Sequence, residues 1–181
     1  MSAAMAAIGL EFRRHLHSHR WDVKTLADGF IADSMPQPTT VPEQISLPKP
    51  RGIRQPIPRL PSERTVYVLT ANMIEVKEDL DNDYKFVLQD PRTHATMIGE
   101  IPDSNGDDAP KRYRPIYRRA RYVIDSIAGR MPEYADIKFS QPPLVRVTGV
   151  GFFDQPHPVP LSGTAPNNRE IHPVLRIEVL H

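Results

Sequence analysis

Lys111–Arg130 reads KRYRPIYRRARYVIDSIAGR, and the period of its apolar residues decides the fold. Ile116, Ala120, Val123, Ile124 and Ile127 recur at helical spacing. Pro115 suits a first helical turn and Gly129 a helix end. Every other patterned stretch reads as strand. Upstream, TVYVLTANMIEVKE (65–78) is apolar on both sides, with Val66, Val68, Ile74 and Val76 against Tyr67, Leu69 and Met73. A strand buried on both faces, or coiled around a small barrel, has this pattern. DLDNDY (79–84) is a turn cluster, YKFVLQD (84–90) alternates as a second strand, and DPRTH (90–94) is a turn built on Pro91. ATMIGEIPD (95–103) is a third strand, stopped at Pro102. Downstream, LVRVTGVGFFD (144–154) is a fourth strand in which Gly149 and Gly151 mark a bend or bulge. After a loop over 155–168, HPVLRIEVL (172–180) is a fifth, with Leu175, Ile177 and Val179 facing away from Arg176 and Glu178.

Three meander strands, one helix and two more strands is the element order of the OB-fold, a mainly β, five-stranded Greek-key barrel with its helix between strands three and four. A split ferredoxin-like sheet needs a helix after its first strand, and DLDNDY is too short to hold one. The barrel domain is expected over 63–181. Ahead of it lie an N-terminal arm (1–33) and a proline-rich strap (34–62). The chain has twenty prolines, and eight of them fall between Pro36 and Pro61, which forbids regular helix or central sheet there. One short turn is expected from a Thr40 cap through Pro42–Ile45. Ile45, Leu47, Ile53, Ile57 and Leu60 are the apolar anchors expected to lay the strap across the barrel. In the arm, His15, His17 and His19 are spaced so that only His15 and His19 share a helical face, and a solvated arm is expected.

The bulk composition removes several function classes. Among 181 residues, 39% are hydrophobic and 25% charged, which is enough for one core and normal for a soluble domain. A net charge of +1 confines any attraction to nucleic acid or membrane to local patches. There is no cysteine, hence no disulfide, thiolate nucleophile or Cys-type zinc site. The apolar run Ala3–Leu10 precedes Arg13 and Arg14, the wrong order for a signal peptide, and is too short to span a bilayer. A cytoplasmic location is expected.

Four patterns could carry chemistry. Lys111, Arg112, Arg114, Arg118, Arg119 and Arg121 interleave with Tyr113, Tyr117 and Tyr122, pairing cations for phosphates with rings for unpaired bases. Asp154, His157, Glu170 and His172 flank one loop and offer carboxylate and imidazole ligands of zinc or manganese type. That set would suit a metal-dependent hydrolase, such as a phosphodiesterase or nuclease. The plainer reading has Glu170 and His172 bracing the loop, on the polar side of the last strand with Arg176 and Glu178. Asp79, Asp81 and Asp83 alternate as in calcium loops but lack the glycine and distal glutamate, so they read as a solvated turn. Glu100 and Asp103 lie at a strand end, where one is expected to cap the following loop. No phosphate-cradling glycine loop, nucleophile elbow or HExxH is present. The expectation is therefore a non-enzymatic binding module with single-stranded nucleic acid as its ligand and no cofactor. A hydrolase centred on the four polar residues and a protein-interaction domain are the alternatives.

From about Trp21 onward the chain resembles a family of uncharacterised bacterial OB-like proteins. The stretches that carry the resemblance are RWDVKTLAD, PTTVPEQISLPKP, DNDYKFVLQD, TMIGEIPD, VRVTGVGFFD and APNNREIHPVLRIEV. The resemblance implies the barrel fold and its extent and no activity. It also implies an exported protein with a cysteine pair, from which this cysteine-free chain departs.

Overall fold

The structure, a computed structural model, describes residues 20–52, 57–129, 136–156 and 162–181. In chain order the elements are α1 (Trp21–Lys24), β1 (Gln37–Pro38), α2 (Val41–Ile45), a 3-10 turn (Pro61–Glu63), β2 (Val66–Glu78), β3 (Tyr84–Gln89) and β4 (Thr96–Ile101). They are followed by α3 (Arg114–Ala128), β5 (Ile137–Lys138), β6 (Leu144–Phe153) and β7 (Arg169–Val179).

Five of the strands close into a barrel. β2 is long enough to serve two partners in turn, β6 through its first half and β3 through its second. A register shift between Met73 and Glu75 bends it between them. β3 pairs with β4, β4 lies parallel to β7, and β7 returns antiparallel to β6, which closes the ring. With α3 between the third and fourth barrel strands, this is the OB-type Greek-key barrel expected from the element order. β1 and β5 are additions that pair with β2 at Gln37↔Tyr67 and Val76↔Ile137. Each is only two residues long, too short for a periodic signal.

Alternation sorts the barrel into two faces. Leu69, Met73, Phe86, Leu88, Met97, Val147, Val150, Ile171, Val174 and Ile177 form the core, and α3 packs Tyr113, Tyr117, Ala120 and Ile124 onto it. That stripe steps by four, three and four residues, so the tyrosines complete the buried face and Ile116 falls off it, 37% exposed. Gly149 and Gly151 lie at two register shifts between β6 and β7, the bulge expected there. A side chain at 151 would collide with the Arg169 guanidinium. The two slips in β7 offset each other. Ile171, Val174 and Ile177 all reach the core, three residues apart, while Glu170 and His172 return to the outer side with Arg176. There, unlike Arg176, they are buried.

Residues 20–33, grouped above with the arm, pack against the barrel where a solvated segment was expected. Val23 and Leu26 are buried, and Tyr117 donates to the Thr25 carbonyl at 2.9 Å. Arg20 forms a buried ion pair with Glu63, and Arg59 donates to Asp28 at 2.8 Å and to the Val23 carbonyl at 2.6 Å. The arm histidines His15, His17 and His19 lie outside the described residues.

The strap is held by Val41, buried in the core, and by polar groups. Thr40 caps α2 in a capping box with Glu43, as its sequence predicts. Asn167 donates to the Gln44 and Leu47 carbonyls, and Arg169 to Gln44 Oε1 at 2.9 Å. Ile45, Leu47, Ile57 and Leu60 are only half-buried, and Ile53 lies outside the described residues.

Candidate functional site

The α3 segment divides the nine residues read as a nucleic-acid surface. Tyr113 and Tyr117 belong to the core, 5% and 0% exposed, so neither ring can stack on a base. Arg121 folds back onto the barrel, donating to the Asn82 carbonyl at 2.7 Å and to Glu78 at 3.1 Å, with its guanidinium 3.6 Å from the centre of the Tyr84 ring. Arg114 donates to the Ala109 carbonyl at 2.9 Å. Lys111, Arg112, Arg118, Arg119 and Tyr122 remain on the solvent side. The first turn of α3 holds no acidic residue, so cations crowd the end where the helix dipole is already positive.

The outer face of β3, β4, β7 and β6 carries a second group. Val87 pairs with Ile98, Ile98 with Glu170 and Glu170 with Phe152, which places these four in one row. Lys85 pairs with Glu100 in the next row, and His172 lies on β7 beside it. In a barrel of this topology this is the face that meets ligands. Here the chain covers it. A Cβ at Gly163 would strike Val87, so the loop around Gly163 lies against that strand. Lys24 of α1 reaches over from the N-terminal side to Asp154 Oδ1 at 3.4 Å, its ammonium 5.4 Å from the Phe152 ring centre.

Beneath Lys24 is a buried charge cluster. His172 is 0% exposed and is flanked by carboxylates at both ring nitrogens. Nδ1 lies 2.9 Å from Glu100 Oε2 and 3.9 Å from Glu170 Oε2, and Nε2 lies 3.6 Å from Asp83 Oδ2. None of these contacts has hydrogen-bond alignment. Asp83 Oδ2, Glu170 Oε2 and both His172 nitrogens are buried without a hydrogen-bond partner. Lys85 Nζ adds a cation 3.5 Å from Glu100 Oε1.

Burial and mutual charge set the protonation states. Burial opposes the imidazolium, but the Glu100 and Glu170 carboxyls outweigh it and His172 is pushed up to about 9. Burial would raise Glu100 as well, yet His172, Lys24 and Lys85 hold it well below the usual carboxylate range. Glu170 is pushed up to about 7 by burial and by the charges of Glu100 and Asp154. Asp83 stands well above its ordinary value for want of solvent and because Asp81 is near. Burial would lower Lys24, but Asp154, Glu100 and Glu170 more than offset it and keep the ammonium charged. At neutral pH the cluster is a histidinium on the Glu100 carboxylate, beside an Asp83 whose charged form burial disfavours.

The set Asp154, His157, Glu170 and His172 is therefore only partly assembled. Glu170 and His172 meet, Asp154 sits with Lys24, and His157 lies outside the described residues. Sequence reasoning missed the partnership of Asp83 and Glu100 with His172. Asp83, read as part of a solvated turn, is 1% exposed, and its other oxygen accepts from the Asp103 amide at 2.9 Å. Of Glu100 and Asp103, one of which was expected to cap the following loop, Asp103 does so by accepting from the Asn105 amide at 2.8 Å, and Glu100 faces His172. The available signal was an acid at each end of the β3–β4 hairpin, in register with Glu-x-His on the last strand.

No family model matches the chain, and no curated protein does. Among solved structures the chain is similar to one described as "OBody AM3L09 bound to hen egg-white lysozyme". Identity is 11% and the TM-score 0.37, covering 65% of this chain and 82% of that one. A likeness that low carries no argument about ligand or partner. No helix among the described residues is long and apolar enough to cross a membrane.

Proposed function

We propose that the chain is a non-enzymatic binding barrel that holds phosphate-bearing single strands on the outer side of α3. The observation that supports this reading is the inverted charge pattern of that helix. Cations at a helix N-terminus oppose the dipole, each at a cost of about 0.3–1 kcal/mol. Arg114, in the first turn, is held by the Ala109 carbonyl, so the cations left for a ligand are the exposed ones beside it and in the second turn. Arg118 and Arg119 form no ion pair among the described residues, and Tyr122, one turn on, is 70% exposed. The usual ligand face does not compete for this role, because the chain itself covers it.

The test is fluorescence anisotropy of a labelled oligothymidylate with the full chain at low and at physiological salt. Wild type should bind weakly and lose affinity steeply with salt. Arg118→Ala combined with Arg119→Ala should weaken binding at least tenfold and flatten the salt slope by about 1.4, two contacts at ~0.7 each. Melting should not fall, since alanine is the better helix former. Absence of wild-type binding at low salt, or equal binding by the double variant, would overturn the reading.

A further inference from the structure

We propose that Asp83, Glu100 and His172, with Glu170 beside them, are the ligands of one divalent transition-metal ion of the manganese or zinc class. One ligand atom from each of Asp83, Glu100 and His172 lies within 4.8 Å of the others, and all three residues are buried. Metal–ligand bonds of about 2.0–2.2 Å set neighbouring ligand atoms roughly 3–4 Å apart, so closure onto an ion requires only a small contraction.

The second, independent observation is the set of orphaned atoms. Asp83 Oδ2, Glu170 Oε2, His172 Nδ1 and His172 Nε2 are buried, face one another and make no hydrogen bond. A buried polar atom left so has given up its hydration without a replacement partner. A brace for the neighbouring loop would spend these atoms on backbone groups, and here none is so spent. A cation gives the two carboxylate oxygens and one ring nitrogen a partner at once.

Ligand chemistry selects the metal. One imidazole among carboxylates suits manganese or zinc, whereas magnesium and calcium take oxygen alone. The position selects the role. Asp83 and His172 are 1% and 0% exposed beneath Lys24 and Phe152, which leaves no open coordination position for a substrate. Closed sites of this kind stabilise folds, and hydrolytic sites keep one position open. The ion therefore ties the β3–β4 hairpin to β7 and does not cut a substrate.

The experiment is calorimetric titration of the chelator-treated full chain with Mn²⁺ and Zn²⁺, followed by metal analysis after dialysis. One ion per chain is expected, with a higher melting temperature in the loaded protein. Asp83→Asn keeps the shape and the acceptor for the Asp103 amide but removes a charged ligand. Its affinity should fall by about 100-fold or more, the upper end of what losing even an outer partner costs. Should that variant not fold, Glu170→Gln removes the neighbouring charge at equal size. Asp79→Asn, in the same turn but paired with Lys77, should bind as wild type does. Failure of wild type to take up either ion would overturn the proposal, and so would an equal loss in Asp79→Asn, which would place the ion on the exposed turn.

Discussion

His172 makes the outer face of the barrel titratable. Kept free of cations by a chelator, the folded chain holds the imidazolium to about pH 9, whereas the unfolded chain gives up that proton near its ordinary value of about 6.5. A pKa raised by folding means that the native state binds more protons, so stability falls as pH rises. The contribution is complete below about 6.5 and lost as pH passes 9. Glu170, raised to about 7, has the same sign at lower pH: burying its charge costs stability as pH climbs from the ordinary carboxylate value through 7. Glu100 has the opposite sign, and its contribution is lost on acidification. Urea unfolding in chelator should therefore show greatest stability near pH 5–6 and a loss on the order of a few kcal/mol by pH 9.5. His172→Gln should remove most of that slope, and a wild-type profile flat from pH 6 to 9.5 would contradict the assignment. None of this could be read at residue 172 alone. Glu-x-His marks a polar strand, while the charge state depends on Glu100 and Asp83, which arrive by strand pairing.

Elements divide by how local their causes are. α2 is a single turn announced by Thr40 and Glu43, and the capping box forms as written, with the Thr40 hydroxyl accepting from the Glu43 amide at 3.3 Å. Thr40→Ala should lower stability by about 1 kcal/mol, measured by denaturant unfolding. A loss within error would mean that Gln44, through Asn167 and Arg169, holds the turn unaided. α3 and the five barrel strands were equally legible, because hydrophobic period and Pro/Gly punctuation act over a few residues. The inner course of β7 was less so. Simple alternation sorts Leu175, Ile177 and Val179 from Arg176 and Glu178, but Val174 reaches the core through slips enforced where Gly149 and Gly151 let β7 come close. The tyrosines of α3 taught the same lesson. As residue types they suited base stacking, and only packing on β7 and β4 showed that Tyr113 and Tyr117 belong to the core.

At the scale of the molecule, residues 20–33 and the strap form a second layer on the barrel. Arg20, Arg59 and Glu63 are buried together, with Glu63 also accepting from the Phe153 amide at 2.9 Å, so segments far apart in sequence share one ionic centre. Deleting residues 1–33 would leave Glu63 buried without its arginine and strip Val23 and Leu26 from the core cover. Loss of one partner of a buried pair costs about 3–5 kcal/mol, and each large apolar side chain adds about 1.5–3 kcal/mol. The truncated chain should unfold at markedly lower urea than wild type, and an unchanged midpoint would show the layer to be incidental.

The order of strands and helix, the strap's single turn and the bulge glycines were determined by the sequence itself, because periodicity, caps and turn residues act between near neighbours. What only the tertiary structure decided is the chemistry. Asp83, Glu100, Glu170 and His172 are unremarkable polar residues until parallel pairing of β4 with β7 sets them side by side. They stay ordinary until Lys24 and the covering loop remove the water above them. Burial and charge proximity act through space, and no local pattern encodes which segment will come to lie over which face.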